Sequence, residues 1–158
     1  MTSHTQILED TDANTARAFL MRICAQATIQ ELEAAVRATH IGGPVQDIRP
    51  TEQGLVMVQG RTGGDGQPFN IGEASVTRSV VRLANGTLGF SYILGRDVVR
   101  ARLAAIVDAL GQSPEIRQKL DHLLVSPVTE RSRATRQVRE SQTAATRVEF
   151  FTLVRGED

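Results

Sequence analysis

Lysine occurs once in these 158 residues, at Lys119; tyrosine also occurs once and tryptophan never. So few large aromatics leave little with which to stack the bases of a single-stranded nucleic acid. An excess of positive charge is missing as well. The 18 Lys and Arg residues balance 18 Asp and Glu, so the chain has no electrostatic footprint for general nucleic-acid binding. The single cysteine, Cys24, excludes an internal disulfide and leaves the redox compartment unmarked. Its neighbours Leu20, Ile23 and Ala27 place it on an apolar helical stripe, where it reads as a small buried hydrophobe and not as a nucleophile. No apolar run is long enough to cross a bilayer. The polar, acid-bearing start MTSHTQILEDTDANTARAF lacks the basic and apolar regions of a secretory signal. A cytoplasmic protein is expected, with no membrane and no nucleic acid among its partners. His4, His40 and His122 fall in no ligand spacing, so no metal site is expected. Neither a G-x-S-x-G elbow nor a Cys-His pattern is present. The isolated acids Glu73 and Glu149 read as ion-pair partners ahead of general bases.

What is present is a chain of one-domain size, at which folding buries roughly 70% of the unfolded surface. With 41% apolar and 23% charged residues it sits near the globular average. Residues 14–27 space Ala16, Phe19, Leu20, Ile23 and Ala27 as a helix, with Asp12 and Asn14 as caps. Thr28 and Glu31 form a capping box for a second helix that ends near His40, ahead of Gly42, Gly43 and Pro44. From Val45 the period changes. Residues 45–49, 54–60, 74–83 and 87–94 predict four strands, the last two joined across Asn85-Gly86 as an antiparallel hairpin. In the third of these, Val76 and Val80 share a face with Arg78 and Arg82, while Ser75, Thr77, Ser79, Val81 and Leu83 share the other. Arginine on a partly apolar face marks a sheet edge or a partner surface.

Helices return after the sheet. Asp97 caps one that Gly111 closes, Ser113-Pro114 opens another, and Ser126-Pro127 opens a third. That third helix, residues 127–147, bears Arg131, Arg133, Arg136, Arg139 and Arg147 and few apolar residues, too polar for the chain's own core to hold. A solvated arm is expected there, or an element that lies on another chain. The closing VEFFTLVRGED, with Phe150, Phe151, Leu153 and Arg155, is too apolar for a loose tail and is expected to dock. The fold class that follows is α+β: an antiparallel sheet of about four strands packed on an N-terminal helical pair and C-terminal helices. One domain is expected, divided into a helical pair (1–44), a sheet with a glycine-rich loop (45–96), helices (97–147) and a docking tail (148–158).

The stretch GRTGGDGQPFNIGEASVTR, residues 60–78, invites two nucleotide readings and satisfies neither. A G-x-x-x-x-G-K-[ST] loop needs a lysine that reaches the terminal phosphates, and none is here. A dinucleotide G-x-G-x-x-G would have Phe69 in place of its third glycine and a strand in place of its helix. What remains is a glycine-rich connection between strands, with Arg61 and Arg78 at its margins. On one reading Gly63, Gly64 and Gly66 let backbone N–H groups converge on an anion that the arginines grip with bidentate forks. On the other, the glycines only permit positive φ in a wide hairpin loop. Spacing favours the second, because such loops are common, and leaves the first open.

Two strings, QGLVMVQGRTGGDGQPFNIGEASVTRSVVRLANGTLGFSYILGRD at 53–97 and TRVEFFTLVRGED at 146–158, resemble the PhnG family, the G subunit of the bacterial carbon-phosphorus lyase core complex. The shared pattern is a helical pair, then G-L-V-x-[VI]-x-x-R-x-G-G-x-G, T-R-x-x-V-R-L, G-R-D and the closing F-F-T-x-V-R-G-[ED]. Ser75 and Ser79-Val80 are mild departures from it. The resemblance implies a cytoplasmic chain working with H, I and J subunits in a core that holds two copies of each, joined by ATP-binding-cassette-like K and L subunits. It also implies that G, H, I and L together make α-D-ribose 1-methylphosphonate 5-triphosphate from ATP and methylphosphonate with release of adenine. The nucleosidase-type chemistry then resides in I and the C–P cleavage in J. ATP is a substrate of the complex, and this chain carries no cofactor of its own. With no acid-base constellation, the chain could supply only orientation and charge neutralisation to that reaction. Two roles stay open. In one, Arg61, Gly63, Gly64, Gly66 and Arg78 hold triphosphate or phosphonate at the interface with I. In the other, the chain is a scaffold whose Arg131, Arg139, Phe150, Phe151, Leu153 and Arg155 dock onto neighbours.

Overall fold

A computed structural model describes residues 4–39, 42–63 and 65–145, with side chains from residue 14 to residue 144. Two helices open the chain, α1 (His4–Gln26) and α2 (Ile29–Thr39). Because α1 starts at His4, Asp12 and Asn14 lie inside it and do not cap it. The capping box forms as its spacing requires: the Thr28 N–H donates to Glu31 Oε2 at 2.7 Å and the Glu31 N–H to Thr28 Oγ1 at 3.2 Å.

Three strands follow, β1 (Gln46–Arg61), β2 (Pro68–Arg82) and β3 (Leu88–Leu94), antiparallel in the order β1-β2-β3. The sheet has one strand fewer than the sequence suggests, because the expected first and second strands are one. Its register with β2 slips between Asp47 and Arg49 and again between Arg49 and Glu52, so the chain passes Pro50 by bulging instead of breaking. β1 is an edge strand, where the N–H that proline lacks costs no ladder bond. β2 likewise begins at Pro68 and not at residue 74, which reduces the glycine-rich stretch to a short loop between two long strands.

One face of the sheet is buried. In β3 Gly89, Ser91 and Ile93 are buried and Leu88, Phe90, Tyr92 and Leu94 exposed. In β2 Thr77, Ser79 and Val81 are buried and Arg78 and Arg82 exposed, the partition that period two predicts, while Val76, expected on the side of Arg78, departs from it at 3% exposed. The buried hydroxyls are all paired. Thr77 Oγ1 donates to the Gly95 carbonyl at 2.7 Å, Ser91 Oγ donates to the Ala101 carbonyl at 2.6 Å, and Ser79 Oγ lies 3.0 Å from Thr51 Oγ1. The Asn85-Gly86 turn joins β2 to β3 with Gly86 at φ +88, as expected of that dipeptide.

On the buried face lies α3 (Val98–Leu110), capped by Asp97, whose carboxylate accepts the Arg100 N–H at 2.9 Å. Ala101, Ala104, Ala105 and Ala109 keep this helix thin where it meets the sheet. Opposite them Gly89 admits no side chain, since a Cβ there would collide with the Ala105 carbonyl oxygen. After Gly111, α4 (Pro114–Leu120), a π-helical turn (Asp121–Val125) and α5 (Ser126–Ala145) run on as one helix. The expectation that Ser126-Pro127 opens a new helix is therefore corrected: Ser126 is itself helical, and its N–H reaches back to the Asp121 carbonyl. Pro127 has no N–H and its ring would strike the carbonyl four residues back. The wider π turn just ahead of it makes the room. Leu20, Ile23 and Cys24 of α1, Leu32 and Ala35 of α2, Val81 and Ile93 of the sheet, and Leu120, Leu124 and Val128 of the long helix close the core around α3.

Candidate functional site

β3 pairs with β2 only between Val76 and Arg82, so β1 and β2 continue beyond the three-stranded sheet as a two-stranded arm. Its ladder runs from Leu55 opposite Ser75 to Arg61 opposite Pro68. Its large apolar side chains stay exposed. Leu55 is 61% exposed, Met57 60%, Phe69 49% and Ile71 64%. Ile71 folds over Gly60, where a Cβ would collide with its side chain. A hairpin of two strands is marginal in water without a third strand or a helix behind it. Its outer edges also offer unpaired backbone groups to another chain's strand.

The glycine-rich loop is the tip of this arm. Gly63 sits at φ +63, which only glycine adopts at no steric cost. The Gly66 N–H donates to the Thr62 carbonyl at 3.0 Å, and a Cβ at position 66 would collide with that same oxygen. Turn geometry thus accounts for both glycines, and the Gly66 N–H is committed within the loop. Gly64 lies outside the described residues. Arg61 is exposed at the end of β1, without an ion pair among the described residues.

Arg78 is elsewhere. It stands ten residues farther along β2 than Pro68, the partner of Arg61, which at 3.3 Å per residue is about 33 Å. Its Nε donates to Glu52 Oε1 at 2.8 Å. Arg61 and Arg78 bracket the loop in sequence, but the structure does not bring them to one anion, because the residues between them extend β2 instead of coiling back.

Of the residues expected to dock on neighbours, Arg131 is engaged within the chain. Its guanidinium meets Glu31 Oε1 and Oε2, both at 2.9 Å, and the Gln26 carbonyl at 2.8 Å, tying α5 to the capping box of α2. The hydrogen bond from Arg131, helped by those from Thr28, holds the Glu31 carboxyl below its ordinary value, and the same bond raises Arg131. Arg139 is exposed on α5. Phe150, Phe151, Leu153 and Arg155 lie outside the described residues, as does the rest of 146–158.

The face of the sheet turned away from α3 holds a shallow groove of about 410 Å³, with Arg17 of α1 5.7 Å from the Phe90 ring. Its floor is Ile48, Val80, Leu88 and Phe90, and Arg49, Arg78, Arg82 and Glu52 edge it. Register explains the set: Val80 pairs with Phe90, Arg82 with Leu88, Arg49 with Val80 and Glu52 with Arg78, and directly opposed residues project from the same side. Alternation of Val80 with Arg78 and Arg82 is visible in the sequence; the contributions of Ile48 and Arg49 depend on the bulges in β1 and are not.

One further feature carries no sequence signal. Arg17 of α1 and Asp108 of α3 form a partly buried ion pair, the Asp108 side chain 1% and the Arg17 side chain 34% exposed, joined from residues 91 apart. Cys24 is 2% exposed, and burial, with a smaller push from Asp108, drives its thiol up to about 12, which makes it the inert hydrophobe its stripe suggests. Among the described residues no three His, Cys, Asp or Glu side chains gather as a metal site requires. No described helix is long and apolar enough to cross a membrane.

An α+β chain that covers one face of its sheet with helices, and shows an apolar arm and an arginine-edged face on the outside, belongs to the class of chains shaped to be held by others. Residues 15–156 match the family model described as phosphonate metabolism protein PhnG. A relative from Rhizobium meliloti (strain 1021), named alpha-D-ribose 1-methylphosphonate 5-triphosphate synthase subunit PhnG, is 49% identical over 138 residues, which cover 87% of this chain and 88% of that one. The chain belongs to the PhnG family.

Proposed function

We propose that this chain acts as a non-autonomous subunit of a synthase that makes α-D-ribose 1-methylphosphonate 5-triphosphate, and that its part is to support the assembly and not to be the main catalytic chain. The observation that carries the supporting role is the arm, whose Leu55, Met57, Phe69 and Ile71 stay open to solvent in the chain alone. Apolar surface contributes about 25 cal/mol per Å² when removed from water, so an arm of this kind gains its stability against another chain. The identity of the product rests on the name of the Rhizobium relative and on its 49% identity.

In this reading ATP and methylphosphonate are the substrates. A phosphonate oxygen bonds to the ribose C1′, the bond from C1′ to adenine breaks, and adenine leaves with a proton while the triphosphate stays on the product. The partners are H, I and J subunits, two copies of each in a core, with K and L subunits associated, all in the cytoplasm; this chain, a single domain over 1–158, brings no cofactor. The separation of Arg61 from Arg78 favours support over a shared grip on the substrate's charge.

Reconstitution tests the proposal. The sister subunits are mixed with ATP and methylphosphonate, and adenine release is followed with and without this chain. Synthesis should require the chain, while the chain alone should release no adenine. Full synthesis by the sister subunits in its absence would overturn the proposal.

A further inference from the structure

The groove on the open face of the sheet has a chemistry that specifies its occupant. Arg49, Arg78 and Arg82 face a single acid, Glu52, so the rim carries an excess of positive charge around an apolar floor. Arg49 and Arg82 make no ion pair among the described residues, and Arg78 engages Glu52 through Nε, which leaves its terminal N–H pair free to fork a second carboxylate. The floor continues along β3 onto Tyr92, 54% exposed, and Leu94, 67% exposed.

We propose that this face seats an extended segment of a different subunit, one that carries two carboxylates four residues apart with an apolar side chain midway between them. The proposal rests on the reading of the chain as a synthase subunit. Arg78 and Arg82 are four residues apart on one strand, about 13 Å at 3.3 Å per residue, and Val80 lies between them on the same side. An extended segment laid along β2 presents its residues i, i+2 and i+4 to one side with the same repeat. An acid-x-apolar-x-acid run therefore places a carboxylate over each arginine and its central side chain on Val80 and Phe90.

A second copy of this chain fits poorly. A two-fold contact of the face with itself would set arginine against arginine. The 158-residue sequence also contains no acid-x-apolar-x-acid run to offer as a heterologous occupant. A small inorganic anion would satisfy the rim but leave the floor wet. Charge pairs at such a rim set the partner and the encounter rate, while the apolar centre holds it.

The test uses the full chain assembled with its sister subunits. A photo-crosslinking phenylalanine analogue at position 90 should label a sister subunit on a peptide containing acid-x-apolar-x-acid. Arg49→Glu with Arg82→Glu should weaken association with that subunit at least tenfold, with circular dichroism and unfolding unchanged, and raised salt should weaken the parent in the same direction. Val80→Asp gives a second, independent reading of the floor. Labelling of another copy of this chain, of nucleic acid, or of nothing in an assembled complex overturns the proposal, as does normal association of the folded charge-reversed variant. If synthesis proceeds without this chain the subunit reading has failed; if synthesis needs the chain but ignores these variants, only the occupant assigned to this face has failed.

Discussion

Arg17 grips Asp108 with two parallel hydrogen bonds, Nε to Oδ1 at 2.8 Å and a terminal nitrogen to Oδ2 at 2.7 Å, and Asp108 is 1% exposed. The same Oδ2 accepts the Phe90 N–H at 2.8 Å, and the guanidinium lies 5.7 Å from the centroid of the Phe90 ring. One carboxylate therefore joins α1, α3 and β3. The fork holds Arg17 charged, its pKa raised first by the hydrogen bond to Asp108 against the cost of burial.

Breaking this clamp from either end should be costly, and the two ends should differ in how they can be rescued. Arg17→Ala strands a buried carboxylate and should cost about 3–5 kcal/mol. Asp108→Ala removes the charge but leaves the Phe90 N–H without its acceptor, and should cost about 3 kcal/mol. Arg17→Lys should recover only part of the loss, because an ammonium cannot fork a carboxylate. Urea unfolding followed by circular dichroism checks all three, and an Arg17→Lys chain as stable as the parent would show that geometry is irrelevant here.

The approach of α3 to β3 sets a second expectation. Gly89→Ala puts a methyl group into the Ala105 carbonyl and within 2.7 Å of the Ala109 Cβ, and neither is the far end of a flexible side chain. The helix must lift, at an overpacking cost of about 1–3 kcal/mol. A melting temperature unchanged by this substitution would show that α3 can lift from β3 at no cost.

The arm should behave in the opposite way, being quiet in isolation and decisive in assembly. Leu55→Ser together with Ile71→Ser removes exposed side chains, so each should shift the chain's own unfolding by no more than about 0.5 kcal/mol. Co-purification with the sister subunits should nevertheless fall sharply, since the apolar centre of an interface carries most of its energy. Normal assembly by the double variant would remove the arm from the list of contacts.

What could be read from the sequence was what local rules control. The Thr28/Glu31 box, the Asn85-Gly86 turn and the Asp97 cap act over three or four residues, and each stands where its spacing puts it. The alternation at Thr77, Arg78, Ser79 and Val81 also held, because one face is buried along that whole stretch. The gap expected between residues 49 and 54, which holds Pro50, and the helix start expected at Ser126-Pro127 failed for a shared reason. Each reads as a break, and each is absorbed, the first by bulges on an edge strand and the second by a π turn, devices that depend on the neighbours and leave no mark in the local sequence. Arg61 and Arg78 looked like two margins of one loop because glycine and proline between them hide how far β2 extends. The Arg17–Asp108 clamp was invisible, since two charged residues 91 positions apart resemble any solvated pair until tertiary packing joins them.

The junction of α5 with α2 makes a prediction about pH. In the folded chain Glu31 releases its proton more readily than at its ordinary value of 4.5, because Arg131 and Thr28 donate to the charged form. A group depressed on folding contributes stability above its unfolded pKa and loses that contribution as pH falls through the folded value. At pH 7 Arg131→Ala should therefore cost about 0.5–1 kcal/mol, the scale of a partly exposed pair. The gap to the parent should persist down to about pH 5 and close progressively below 4.5, as Glu31 takes up its proton in both proteins. In Glu31→Gln, where no proton is exchanged, the cost of Arg131→Ala should be small and flat across the same range. Paired unfolding curves for the four proteins between pH 3 and 7 decide it, and a gap that widens toward low pH would reverse the sign assigned to Glu31.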